Sequence, residues 1–271
     1  MMRSLSLAHL TAIDLPPPEL IQTAATAGFD AVGLRLLQVT PTSPGYPLMQ
    51  NPALMRATRI ALRDTGLKVH DIEFVRITPE TRPSDLIPFL DAGASLGAAE
   101  VICAPYDPDL TRLADTLGAL SDVAQARGLG MSLEFFPWTN VPTLESAVTL
   151  AQAAGPKVGV LPDSLHFDRS HSRPETLAAL PPERLRFAHL CDAPVQPEYT
   201  TEDLLFTARE ERLPPGRGQI DLARFLRALP PDLPLGIEVP QTALMREETA
   251  AKVIADCYTA AHSLLQELNL R

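Results

Sequence analysis

A short apolar run followed by a longer amphipathic stretch recurs eight times along this chain, and few folds accept that order. The runs are SLSLAHL (4–10), AVGLRLL (31–37), LKVHDIEFV (67–75), AEVICAP (99–105), GMSLEFFP (130–137), VGVLPD (158–163), LRFAHLCDA (185–193) and LPLGIEVP (233–240). Most are apolar throughout rather than alternating, as parallel strands covered on both faces must be. The stretches between them read as helices over 16–29, 51–66, 82–97, 107–128 and 142–155, a weaker one near 174–180, then 220–229 and 247–268. Prolines open the first and glycines such as Gly28 and Gly66 close them, the polarity expected of helix ends. Eight pairs in 271 residues amount to about 34 residues each, and the closed solution to that pattern is an α/β (β/α)8 TIM barrel of roughly 250 residues. A doubly wound open sheet is the alternative, but its GxGxxG phosphate turn is absent after the first run. No linker or shift in composition cuts the chain, which reads as one barrel domain over 1–271. The connection over 194–219 is long for a compact domain, which suits a lid or binding loop.

Bulk properties narrow the functional classes. A formal charge of −10 argues against a nucleic-acid partner, because phosphate contacts need clustered Lys and Arg. No run of eighteen apolar residues is present, so no membrane span is expected. The N-terminus has no long apolar centre with a small-residue cleavage site, and the expected location is cytoplasmic. Three widely spaced cysteines, Cys103, Cys191 and Cys257, make no CxxC pair and no disulfide framework, which suits a reducing compartment.

In barrel enzymes the active site sits where the strands end. The polar residues at the ends of the eight runs are therefore the informative ones: His9, Asp71 with Glu73, Glu134, Asp163 with His166, His189 with Asp192, and Glu238. Glu134, Asp163, His189 and Glu238 come from four consecutive runs, each among apolar neighbours. Singly, each has an ordinary reading: Asp163 as a turn cap, His189 as a satisfied core histidine, Glu134 as a partner of Arg35. Together, three carboxylates and an imidazole at one mouth repel unless a counter-charge meets them, and a divalent cation is the simplest one. Mostly hard oxygen donors favour Mn²⁺ or Mg²⁺, with Co²⁺ and Zn²⁺ also compatible.

The motifs LEFFPW, LPDSLHF, HLCDAP, PPGRGQIDL and LGIEVP, in that order, resemble the sugar phosphate isomerase/epimerase family of xylose isomerase-like TIM barrels, including its D-tagatose 3-epimerase-like members. The resemblance covers essentially the whole chain. It implies a single divalent metal, Mn²⁺ by preference, held by Glu134, Asp163, His189 and Glu238. It also implies that His166, the histidine of D-x-x-H, binds substrate beside that metal. Relatives with a three-metal cluster use further histidines that His70, His171 and His262 do not supply. None of the three lysines, Lys68, Lys157 and Lys252, is placed at the mouth, which argues against Schiff-base chemistry. Dehydratases of the superfamily often carry a histidine where this chain has Phe136.

The reaction so implied is isomerisation or epimerisation of a small sugar, ketose or sugar derivative through an enediolate, with Glu134 and Glu238 as the base–acid pair. His166, Arg217, His9, Glu73 and Trp138 are the expected substrate contacts, Arg217 because its flanking glycines permit close approach; Arg209 is a second cation for an anionic substrate. A metal-dependent dehydratase or lyase on the same site, and a non-catalytic barrel binding protein, are the competing readings. The expected partners are a small carbohydrate-like molecule and, as in many relatives, further copies of the chain in a dimer or tetramer.

Overall fold

The computed structural model describes residues 3–40 and 43–270. Eight strands lie where the apolar runs place them: β1 Leu5–Leu7, β2 Ala31–Arg35, β3 Lys68–Ile77, β4 Glu100–Pro105, β5 Gly130–Glu134, β6 Val158–Leu161, β7 Ala188–Leu190 and β8 Leu235–Ile237. They form one sheet in the order β6-β5-β4-β3-β2-β1-β8-β7, with every neighbouring pair parallel. The two ends of that order, β6 and β7, meet at a bridge between Asp163 and His189, where the His189 N–H donates to the Pro162 carbonyl at 3.0 Å. The TIM barrel therefore closes, barely, at two of the candidate metal ligands. Several strands are shorter than their apolar runs, and Leu10, Phe136 and Glu238, beyond the ends of β1, β5 and β8, line the cavity at the mouth.

Helices α1 Pro17–Ala27, α2 Pro52–Thr65, α3 Ile87–Ser95, α4 Leu110–Gln125 and α5 Leu144–Ala154 follow the first five strands. After β6 come α6 Ser164–Arg169 and α7 Pro174–Ala178, after β7 come α8 Thr201–Arg209 and α9 Leu222–Ala228, and after β8 come α10 Leu244–Glu247 and α11 Ala250–Glu267. The longer helices cover the outside of the barrel through one apolar face each. In α1 that face is Pro17, Leu20, Ile21 and Ala24, and burying a leucine or isoleucine there stabilises the fold by about 1.5–3 kcal/mol. Thr58 and Ala61 are buried on the matching face of α2, with Leu54 and Leu62 packed beside them. Val101 and Cys103 of β4 join this outer layer, whereas Ile102 between them joins Leu161 and Phe187 in a separate cluster within the barrel. That split is the two-residue period of a strand buried on both faces.

Three helices lie outside the expected stretches, and the shortest of them, α10, is a single turn before α11. The connection over 194–219, expected as a loop, carries α8, whose N-terminus is a capping box: the Thr200 side chain accepts from the Asp203 N–H and Asp203 answers the Thr200 N–H. The T-x-x-D spacing was the available signal. The third is α6, which starts directly behind β6 because Asp163 caps it, accepting the Leu165 N–H at 2.7 Å. No helix among the described residues is long and apolar enough to cross a membrane.

Candidate metal centre and active site

Each of the four candidate ligands is placed by the end of a strand. Glu134 is the last residue of β5, His189 lies within β7, and Asp163 and Glu238 sit just beyond β6 and β8. All four are buried, and one ligand atom from each lies within 4.8 Å of the others. His189 Nδ1 faces the group, 3.6 Å from Glu238 Oε2 and 3.9 Å from both Glu134 Oε1 and Asp163 Oδ2. Neither His189 Nδ1 nor Glu134 Oε1 has a hydrogen-bond partner among the described residues. His189 is therefore no satisfied core histidine, and Arg35 pairs with Glu73 at 3.0 Å rather than with Glu134. The capping reading of Asp163 holds alongside the ligand reading: Oδ1 caps α6 while Oδ2 faces the cluster.

A cation is already present in the cluster, and the sequence reading did not single it out. Arg212, 2% exposed, extends one guanidinium nitrogen to Asp163 Oδ2 at 2.7 Å and the other to Glu238 Oε2 at 2.8 Å. Its Nε donates to the Ala208 carbonyl at 3.1 Å at the end of α8. In the forms that ligate a metal, three ionised carboxylates and a neutral His189 against one guanidinium leave a formal charge of −2, which a divalent ion would balance. With the two orphaned atoms and the convergence of a nitrogen and three oxygens, the residues fit such an ion.

The electrostatics follow from this uneven pairing. Burial, reinforced by Glu238 and Asp163, pushes the Glu134 carboxyl well above the usual carboxylate range. Burial also works against ionised Asp163 and Glu238, but Arg212 together with His189 and their other basic neighbours outweighs it and holds both below their ordinary values. Burial likewise disfavours the charged His189, yet Glu238, Glu134 and Asp163 pull it up to about 10. In His166 burial wins and the imidazole falls to about 4, so it is neutral near pH 7. Below the cluster, burial and the neighbouring Glu73 push Asp71 up to about 8.

A cavity of about 290 Å³ opens above the cluster. That is at the lower limit of the roughly 300–1,000 Å³ typical of drug-sized pockets and suits a small ligand. Glu134, His166, Arg212 and Glu238 line it, together with Arg35 and Glu73. Phe136 and Trp138, stacked at 5.0 Å, form an apolar wall and meet the His166 ring edge-on at 4.8 and 5.3 Å. Trp138 also donates to the Tyr106 hydroxyl at 3.2 Å, which fixes the indole.

Two expected substrate contacts lie elsewhere. His9 is buried outside the cavity, with Nδ1 accepting the Arg35 N–H and Nε2 bonded to the Leu15 carbonyl, both at 2.9 Å. It braces the backbone behind Arg35. Arg217 is exposed on the Pro214–Gly218 turn and does not line the cavity. The cause is Asp192, whose carboxylate gathers the backbone N–H groups of Gly216, Gly218, Ile220 and Ala193. A Cβ on Gly218 would lie 2.3 Å from Asp192 Oδ1, so the glycine serves this anchor rather than a ligand. Arg209 and Arg212, from the same connection, reach the cavity instead. Replacing Asp192 with alanine leaves those donors unpaired; we expect a loss of about 1–3 kcal/mol in urea-denaturation stability. Faster hydrogen exchange over residues 213–220 should accompany it.

A family model for xylose isomerase-like TIM barrels matches residues 21–257. A 3-dehydroshikimate dehydratase of Pseudomonas aeruginosa is 30% identical over 225 residues, which is 77% of this chain and 33% of that protein. An inosose isomerase of Bacillus subtilis is 34% identical over 120 residues, 42% of this chain and 40% of that protein. The chain thus spans a third to two fifths of the length of these relatives. Among solved structures, a zinc-bound IOLI protein superposes with a TM-score of 0.80 at 20% identity, over 97% of this chain and 98% of that one. D-psicose 3-epimerase superposes at 0.74 with 15% identity, over 98% and 99%. Both likenesses concern the fold. With most of its length matched by the family model and its eight strands closed into the expected barrel, the chain belongs to the xylose isomerase-like TIM barrel family.

Proposed function

We propose that this chain is a divalent-metal-dependent isomerase or epimerase of a small polyhydroxylated ketone or sugar derivative, acting in the cytoplasm. The observation that carries the reading is the convergence of Glu134, Asp163, His189 and Glu238 within 4.8 Å at the floor of a small cavity. Held by those four residues, an ion such as Mn²⁺, Mg²⁺, Co²⁺ or Zn²⁺ supplies Lewis-acid polarisation of a substrate carbonyl. Glu134 and Glu238 flank Asp163 and His189 around the barrel and are the carboxylates in reach of a carbon next to that carbonyl. One removes its proton, and the other returns a proton to the opposite face or to the neighbouring carbon. Neutral His166, fixed edge-on by Phe136 and Trp138, hydrogen-bonds a substrate hydroxyl, and Glu73 takes another. Arg212 keeps Asp163 and Glu238 ionised and in place.

The test is solvent exchange. Ketoses and cyclic polyol ketones are incubated with metal-loaded protein in D2O and the products read by mass spectrometry and NMR. A product of unchanged formula that gains one deuterium is expected, with exchange abolished in Glu134→Gln and Glu238→Gln. The dehydratase relative matched over 225 residues favours a second reading on the same site, loss of water after the same proton abstraction. A product lighter by one water would establish it in place of the first. No exchange and no elimination across the panel would sink both.

A further inference from the structure

Beneath the four-ligand cluster lie polar side chains that the proposed reaction leaves unused. Because His189 turns Nδ1 to the carboxylates, its Nε2 points away from them, and that nitrogen has no partner among the described residues. Asp71 Oδ1 and Ser6 Oγ are likewise buried without a partner. These three residues come from β7, β3 and β1, alternate strands of the kind that build one interior layer of such a barrel. Branched apolar side chains usually fill those layers, and this one is polar.

The neighbouring strands show why the three converge. Asp71 pairs with Gly33 of β2, where a Cβ would lie 2.6 Å from Asp71 Oδ1. His189 pairs with Gly236 of β8, where a Cβ would lie 2.7 Å from its Cδ2 and 3.0 Å from its Nε2. Asp71 therefore leans over β2 and His189 over β8. The strand between β2 and β8 is β1, which presents Ser6 opposite Gly236. A bulge prepares the arrangement: Val32 pairs with Val69 but Gly33 with Asp71, so His70 is an extra residue and the Asp71 side chain turns inward. Among the described residues, the carboxylates within 4.0 Å of His189 belong to Glu134, Asp163 and Glu238, so Asp71 stands further away. The two glycines make room for the Asp71 carboxylate and the His189 ring, and three unpartnered polar atoms in one layer are the set of partners that a buried water satisfies.

We propose that Asp71 is the positioning residue of His189. Through one buried water shared with Ser6 Oγ, its carboxylate accepts the Nε2 proton of His189 and so keeps the Nδ1 lone pair turned to the carboxylate cluster. The inference rests on the metal-centre reading, and it makes the third-strand Asp, the two glycines and the first-strand Ser parts of that centre.

The test uses the full chain loaded with zinc. Titration calorimetry should show roughly a ten- to hundredfold weaker zinc affinity for Asp71→Ala, the range for such supporting partners, with substantial recovery in Asp71→Asn. NMR of the ¹⁵N-histidine-labelled, zinc-loaded protein should show an exchange-protected His189 Nε2–H in wild type and in Asp71→Asn, and its loss in Asp71→Ala. Should Asp71→Ala not fold, Ser6→Ala replaces it, with a weaker affinity and faster exchange of the same proton expected. Wild-type affinity and an unchanged His189 signal in the variant would overturn the assignment while leaving the metal centre standing. A wild-type chain that takes up no zinc would overturn both.

Discussion

Replacing Arg212 with methionine is expected to destabilise the metal-free protein by about 3–5 kcal/mol, the cost of removing one partner from a buried ion pair. The guanidinium is 2% exposed and is the cation that meets Asp163 and Glu238 directly, at 2.7 and 2.8 Å. Methionine fills much of the same volume, so the loss measures uncompensated charge more than a cavity. Lysine is no conservative substitute, because one ammonium cannot reach both carboxylates in the way a planar fork does. The deficit should shrink when divalent metal is added, since a ligand that binds the native state stabilises it in proportion to its concentration over Kd. Urea denaturation with and without Mn²⁺ checks both parts. A change under 1 kcal/mol that is indifferent to metal would show that Arg212 does not balance the cluster.

His189→Ala is the second large effect. It deletes the single nitrogen donor of the four, and divalent-metal affinity should fall by more than about a hundredfold, beyond the range for loss of a supporting partner. Selectivity should change as well: with carboxylates alone, preference moves from Zn²⁺ and Co²⁺ towards Mg²⁺ and Ca²⁺. Elemental analysis of the purified proteins and calorimetric titration with each ion give the comparison. Equal uptake by wild type and variant would remove His189 from the centre. A wild type that binds none of these ions would leave the family fold without the proposed chemistry.

These expectations draw on different layers of the molecule. The clustering of Glu134, Asp163, His189 and Glu238 was legible in the sequence because strand ends are placed by an apolar pattern, and a charged residue at the end of such a run has few places to go. Phe136, Trp138 and His166 likewise follow from short sequence distances after β5 and β6, so their meeting at one wall needed only the two strands to be adjacent. Arg212 was not legible in that way. It stands in a connection with no strand-end register, and E-R-L-P-P reads as surface until α8 and Asp192 fold the segment back over the mouth. Arg217 misled for the same reason: glycines on both sides permit a close backbone approach, but Asp192 occupies the approach and the side chain is left outside.

By itself, then, the sequence determined the eight-fold alternation, the closed barrel, and the identity of the residues at its mouth. Those depend on local period and on which side chains tolerate burial, and both are properties of short stretches. Only the tertiary structure decided which cation joins the carboxylates, which nitrogen of His189 faces them, and that Asp71 lies beneath. The pairing of an arginine with acids 49 and 26 positions away, and a bulge that turns one aspartate inward, arise from the closure of the sheet. No local pattern encodes the distance between side chains that meet only when β6 and β7 come together.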